Sequence, residues 1–308
     1  MITETELTRT RLKMVAIAKR LDLKPMSIRE EIVLAKFIEG KLLKGAKLFL
    51  KLVRFDQPKR LYSYLDCLQR IWKTTLVGDG FMEFEVDDPL IREVYPEICK
   101  TIIVDSQCSG KVRGWTEHSL SGIYSEMNLC VNDLETSVKK RDFKNNLQKL
   151  ISVVYHECDH LKFAAKVVYE EGIESYVRYM LDSAEVRAHS KQLAYLYFKV
   201  FPAQRFNYKT LNEYVRQRYT LEDKEFQIIQ LLDLFKDPKN PPFTKKENIE
   251  FAYGIVEGRN EHFTKKLLQK AFKDYLVYIT YFVNYFNQMK VDRSVRSEVM
   301  FGKSKTIL

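Results

Sequence analysis

The chain has 308 residues, 45% of them hydrophobic and 30% charged, which supplies a large core and excludes a disordered or fibrous chain. Eleven glycines and eight prolines are too few for a turn-rich all-β design, and five cysteines without a CxxC pair give no disulfide framework, so reduced thiols are expected. The net charge of +10 sits at one end: residues 1–75 carry 17 Lys/Arg against 8 Asp/Glu.

The N-terminal stretch MITETELTRTRLKM has no apolar core of the secretory kind. The most apolar run, YLVYITYFVNYF (275–286), is too short to span a bilayer and reads as a buried helix. With the cysteines, these features lead to the expectation of a cytoplasmic protein.

Residues 5–75 read as two or three helices with breaks at Pro25 and Gln57-Pro58. Within them, KLLKGAKLFLKLVRF (41–55) places Lys41, Lys44, Lys47, Lys51 and Arg54 on one stripe, with Leu43, Ala46, Leu50 and Val53 expected on the packed side. Such a stripe suits nucleic acid, an acidic partner or an anionic membrane, or is the solvated face of a packed helix. FMEFEV (81–86) and KTIIVDS (100–106) read as short strands, and SGIYSEMNLCVN (121–132) alternates as a half-exposed strand does. Helical spacing returns over about 143–168, again over 173–199, and over 209–289 with a break at KDPKNPPF (236–243). The aromatic-rich stretch from Phe272 to Phe286 is expected in the core, and the tail beyond 290 has little periodicity. The organisation expected is a basic helical region (1–75), a mixed core (76–200) and a C-terminal helical region (201–308). The fold class is α+β, predominantly helical, with a small mixed sheet.

The chemistry lies in VVYHECDHLKF (153–163). Residues four apart on a helix differ by about 40° in projection, so His156 and His160 point the same way and two imidazoles can share one ion. Glu157 projects from the adjoining flank, as a general base beside a metal must. Val153, His156, His160 and Phe163 form an apolar-flanked column. Ser152, Tyr155, Asp159, Lys162 and Lys166 are expected on the outward face. Two inward imidazoles need partners, and a metal supplies one to both.

A catalytic zinc has three protein ligands and an open fourth position. In LDSAEVRAHS (181–190), Glu185 shares a face with Leu181, Ala184 and Ala188, and 24 residues separate it from His160, enough for a turn and a returning helix. Glu170, Glu171, Glu174 and Asp182 compete for the role.

HExxH followed by ExxA on the next helix resembles the gluzincin class of zinc metallopeptidases. GWTEHSLSGIYSEMNLCVNDL, upstream, resembles the edge strand that leads into the active-site helix of compact zincins, SprT-like domains among them. The resemblance covers roughly residues 100–200. It implies a zincin-like core with His156, His160 and Glu185 as zinc ligands and Glu157 as general base. SprT-like domains use a third histidine that this chain lacks, so their DNA-linked role does not carry over. The thermolysin-type acidic residue four after the ligand glutamate is His189 here, which either stabilises an oxyanion or packs; Tyr179, Arg187 and Tyr195 are other candidate donors. The leading expectation is peptide-bond hydrolysis by a zinc-activated water, the strand at 121–131 holding a protein or peptide substrate by β-augmentation. Two others stand beside it. One is a catalytically silent zincin-like scaffold inside a larger assembly, such as a virion. The other is a nucleic-acid binder acting through residues 1–75, whose affinity falls steeply with salt.

Overall fold

The computed structural model describes residues 28–55, 63–74, 83–89, 91, 99–106, 108, 114–118, 125–140, 142–162 and 172–301. The chain divides into two compact units, one holding the described residues up to Lys162 and the other those from Gly172 onward. The division therefore falls inside the stretch 76–200 that the sequence marks as one core. Among the described residues the protein is mostly helical with one small mixed sheet.

The first unit contains α1 (Ile28–Phe55), α2 (Tyr64–Trp72), β1 (Glu83–Val86), β2 (Cys99–Asp105), β3 (Gly114–His118), β4 (Ser125–Cys130), α3 (Asn132–Ser137) and α4 (Phe143–Lys162). The sheet order is β1-β2-β4-β3. β2 and β4 run parallel, while β1 and β3 are antiparallel to their neighbours. Register aligns Val86 with Ile102, Ile102 with Met127 and Val104 with Leu129, and all five are buried. That row is one apolar face, produced by the period-2 alternation of each strand, and α4 packs on its β3–β4 half. α1 packs on α4 as well as on α2.

This layering corrects two expectations. Ser152, Tyr155 and Asp159 are buried rather than outward, because α4 is covered by more than the sheet. On α1 the packed side is Ile38, Leu42, Ala46 and Phe49, whereas Leu43, Leu50 and Val53 are 39%, 45% and 45% exposed beside the exposed Lys44, Lys47 and Lys51. Strand 121–132 is realised as β4, but it is central, with β2 on one side and β3 on the other. Its backbone groups are already paired, so it cannot add a substrate strand. Among the described residues the edges are β1 and β3, and the alternation did not reveal β3.

α2 begins with a reciprocal cap: the Asp66 amide donates to Ser63 Oγ at 3.0 Å, and the Ser63 amide donates to Asp66 Oδ2 at 2.8 Å. The buried Tyr64 hydroxyl donates to the Leu42 carbonyl at 2.8 Å, locking α2 to α1. Cys108, just after β2, forms a disulfide with Cys130 at the end of β4, Cα atoms 5.9 Å apart. The expectation that all five thiols are reduced is therefore overturned, and the cysteines no longer argue for a reducing compartment. Cys67 and Cys158 are buried and not disulfide-bonded. No described helix is long and apolar enough to cross a membrane.

The second unit is helical: α5 (Ile173–Leu181), α6 (Ser183–Val200), α7 (Tyr208–Arg218), α8 (Lys224–Lys236), α9 (Lys246–Val256) and α10 (Lys265–Phe301). One helix was expected over 173–199, but the chain breaks at Asp182, whose carboxylate accepts from the Ala184 amide at 2.8 Å and caps α6. Leu181 thus lies on α5, not on the helix of Glu185. α10 packs along α6 and α8. Tyr275, Phe282 and Phe286 lie in this core, as the aromatic pattern suggested, and the helix runs on to Phe301 through part of the tail. The Tyr275 hydroxyl donates to the Met180 carbonyl at 3.0 Å, tying α10 to α5. Asp233 on α8 accepts from Tyr208 Oη at 2.9 Å, Asn212 Nδ2 at 2.8 Å and Arg216 at 2.7 Å, which fixes α7 against α8.

Candidate functional site

His156 and His160 occupy successive turns of α4, with 2% and 8% of their surface exposed. Their Nε2 atoms face each other at 2.8 Å, with ring centroids 4.6 Å apart and planes at 73°. At that separation one ring donates an N–H to the other's lone pair, or both lone pairs turn to a shared cation. Two nitrogens on a tetrahedral zinc stand about 3.3 Å apart, so an opening of about half an ångström would admit the ion. Imidazole nitrogen with a carboxylate oxygen is a donor set that zinc accepts readily. The residues present fit the metal.

Glu157 is also buried, at 4% exposure. Its Oε2 accepts a hydrogen bond from Thr116 Oγ1 on β3 at 2.7 Å. Thr116 pairs with Met127 in the β3–β4 ladder and so lies on the face toward α4. Nothing in the sequence pattern singled it out.

In the helical unit, Glu185 stands in the first turn of α6 and is 2% exposed. A carboxylate is favoured there by the unpaired amides of the helix start. His189 Nε2 lies 3.4 Å from Glu185 Oε2. His189 Nδ1 lies 3.3 Å from Gln192 Oε1, and Gln192 Nε2 donates to Glu225 Oε1 on α8 at 3.2 Å. Glu185, His189, Gln192 and Glu225 thus form one buried polar chain. With its amide nitrogen on the Glu225 carboxylate, Gln192 turns its amide oxygen toward His189 Nδ1. Burial, and the nearby Glu185 carboxylate after it, push the Tyr275 phenol well above its ordinary range, so it remains a neutral donor.

His189 has no exposed surface. It faces Glu185 on one side and Gln192 on the other. Arg187 and Tyr195 are buried too, and Tyr195 packs edge-on against Phe286. Tyr179 is half-buried, with its ring centroid 6.0 Å from that of His189. Of the competing carboxylates, Glu174 is exposed, Asp182 is engaged as the α6 cap, and Glu170 and Glu171 fall outside the described residues. Gln192 and Glu225 escaped the sequence reading although spacing carried a signal. Gln192 is seven residues after Glu185 on one helix face, and Glu225 precedes Ile228, Ile229 and Leu232 on the buried face of α8.

Comparison of the chain with models of known protein families, with curated proteins and with solved structures finds no match.

Proposed function

We propose that this protein is a zinc-dependent metallopeptidase with a zincin-like core. The observation that carries the reading is the buried imidazole pair on α4, with Nε2 atoms at 2.8 Å and a buried glutamate between them in sequence. In this reading His156 and His160 are two zinc ligands and Glu185, the carboxylate nominated by the sequence, is the third, which would complete the N, N, O set of a catalytic zinc site. When bound, the ion supplies the Lewis acidity that lowers the pKa of water and polarises a carbonyl. Glu157 accepts the proton released as water attacks the peptide carbonyl and returns it to the leaving amine. His189 orients Glu185. The edge strand β3 replaces β4 as the element that lines up an extended peptide.

The test is a Glu157→Gln protein. It is expected to retain zinc at one equivalent while chelator-sensitive cleavage of a peptide library falls by about 10²–10⁴-fold. Equal cleavage by a zinc-loaded Glu157→Gln protein ends the reading.

Burial of all four residues favours one alternative, a zincin-like scaffold that holds zinc without turnover. That reading expects chelation to lower stability while no peptide in the library is cut.

A further inference from the structure

We propose that Thr116 is the positioning residue for Glu157, a role that rests on the hydrolase reading. Two features of β3 converge on it. Gly114 is the first: a Cβ built there would lie 2.8 Å from Val153 Cγ1 and 2.9 Å from the Asn128 carbonyl oxygen, so a side chain at this position would push the strand off α4. Glycine therefore sets the close approach of β3 to the helix turn that runs from Val153 to Glu157. Two residues on, with the same pleat direction, Thr116 delivers its hydroxyl to Glu157 Oε2 at 2.7 Å.

At 2.7 Å the contact has the usual length of an O–H···O hydrogen bond. Threonine suits the task because its β-branch limits χ1, so the donor is already ordered before it meets the acid. The helical hydrogen bonds of α4 fix the backbone of this turn but not the direction of the Glu157 carboxylate. Thr116 fixes one carboxylate oxygen, and with it the plane in which the other meets a proton. Zinc affinity does not depend on that plane; the rate of proton transfer does.

The experiment uses the full zinc-loaded chain and a library peptide that the parent cleaves. Thr116→Val keeps the shape and removes the hydroxyl. It is expected to lower kcat by about 10- to 100-fold, with KM and bound zinc unchanged. Thr116→Ser restores kcat to within about threefold, which a purely packing role would not do. A second measurement needs no turnover: urea unfolding of the zinc-free parent, Thr116→Val, Glu157→Ala and the double variant, where the loss from Thr116→Val is expected to shrink once Glu157 is gone. If Thr116→Val does not fold, Thr116→Ala takes its place in both arms. Unchanged kcat in a zinc-loaded Thr116→Val protein, or strict additivity in the unfolding cycle, overturns the positioning role while the hydrolase reading stands. A parent that holds zinc and cuts nothing overturns the hydrolase reading, and this role falls with it.

Discussion

The two units bury polar chemistry in different ways. In the sheet-bearing unit the reactive groups are neighbours in sequence. His156, Glu157 and His160 lie within two turns of α4, and Thr116 of the sheet donates to Glu157. In the helical unit the polar groups are spread out: Glu185, His189 and Gln192 run along α6 at intervals of four and three, and the chain ends on Glu225 of α8. A pentapeptide motif announces itself because helix geometry forces its members together. A chain that crosses between helices does so only after folding, and each member alone looks like an ordinary surface residue.

The largest effect expected from breaking this comparison is at Glu185, the carboxylate that the proposed function takes as third ligand. Glu185→Gln keeps the shape and the contact with His189 but removes the charge. Zinc affinity, read by competition with a chromophoric chelator, is expected to fall by more than about a hundredfold, beyond what outer-shell changes cost. Loss of threefold or less would move the third ligand elsewhere and leave α6 with a structural role.

A second effect tests the sheet-bearing unit by itself. The Cys108–Cys130 bond closes a 22-residue span that contains β3, the strand carrying Gly114 and Thr116. Cross-linking a span of that length stabilises by about 3 kcal/mol through the unfolded chain. Cys130→Ser should therefore lower the urea midpoint of unfolding by a corresponding amount. An unchanged midpoint, in a parent shown by mass to be oxidised, would mean that β3 is held by its pairing and by Thr116 without the bond.

The division between legible and hidden parts has physical causes. Strand alternation revealed β1, β2 and β4, because each is apolar on the side that meets the core. Alternation did not mark β3, although the stretch quoted for the zincin resemblance begins with it, because GWTEH turns the buried Gly114 and the half-buried Thr116 toward α4 and neither stands out in a hydropathy pattern. The stripe on α1 was read with the wrong side inward. Of the four residues assigned to the packed side, Ala46 is buried, but Leu43, Leu50 and Val53 are exposed and Leu42 and Phe49 occupy the core instead. Both columns carry enough apolar residues to serve, and tertiary packing decides between them. The break at Asp182 was written in the sequence as a good N-cap residue before Ser183 and Ala184, but continuous periodicity masked it. The buried imidazole pair was the most legible feature, since spacing, residue type and apolar flanks all agreed.

The smallest effect concerns Gln192, and it separates a positioning chain from passive packing. Gln192→Leu is close in size, so it leaves little cavity. It removes the amide that donates to Glu225 at 3.2 Å and accepts from His189 at 3.3 Å. A buried carboxylate deprived of a donor costs on the order of 1–3 kcal/mol, which unfolding in urea reads directly. If the chain also orients Glu185 through His189, zinc affinity should drop by about tenfold, the lower end of outer-shell effects. Stability and affinity then move together. Glu225→Gln divides them, because two amides can still hydrogen-bond while the group that dictates the direction of Gln192 is gone. Retained stability with weakened zinc binding in that variant would show that what matters is the direction of the chain, set by the carboxylate on α8. Retained stability and retained affinity would reduce the chain to the filling of polar space between helices.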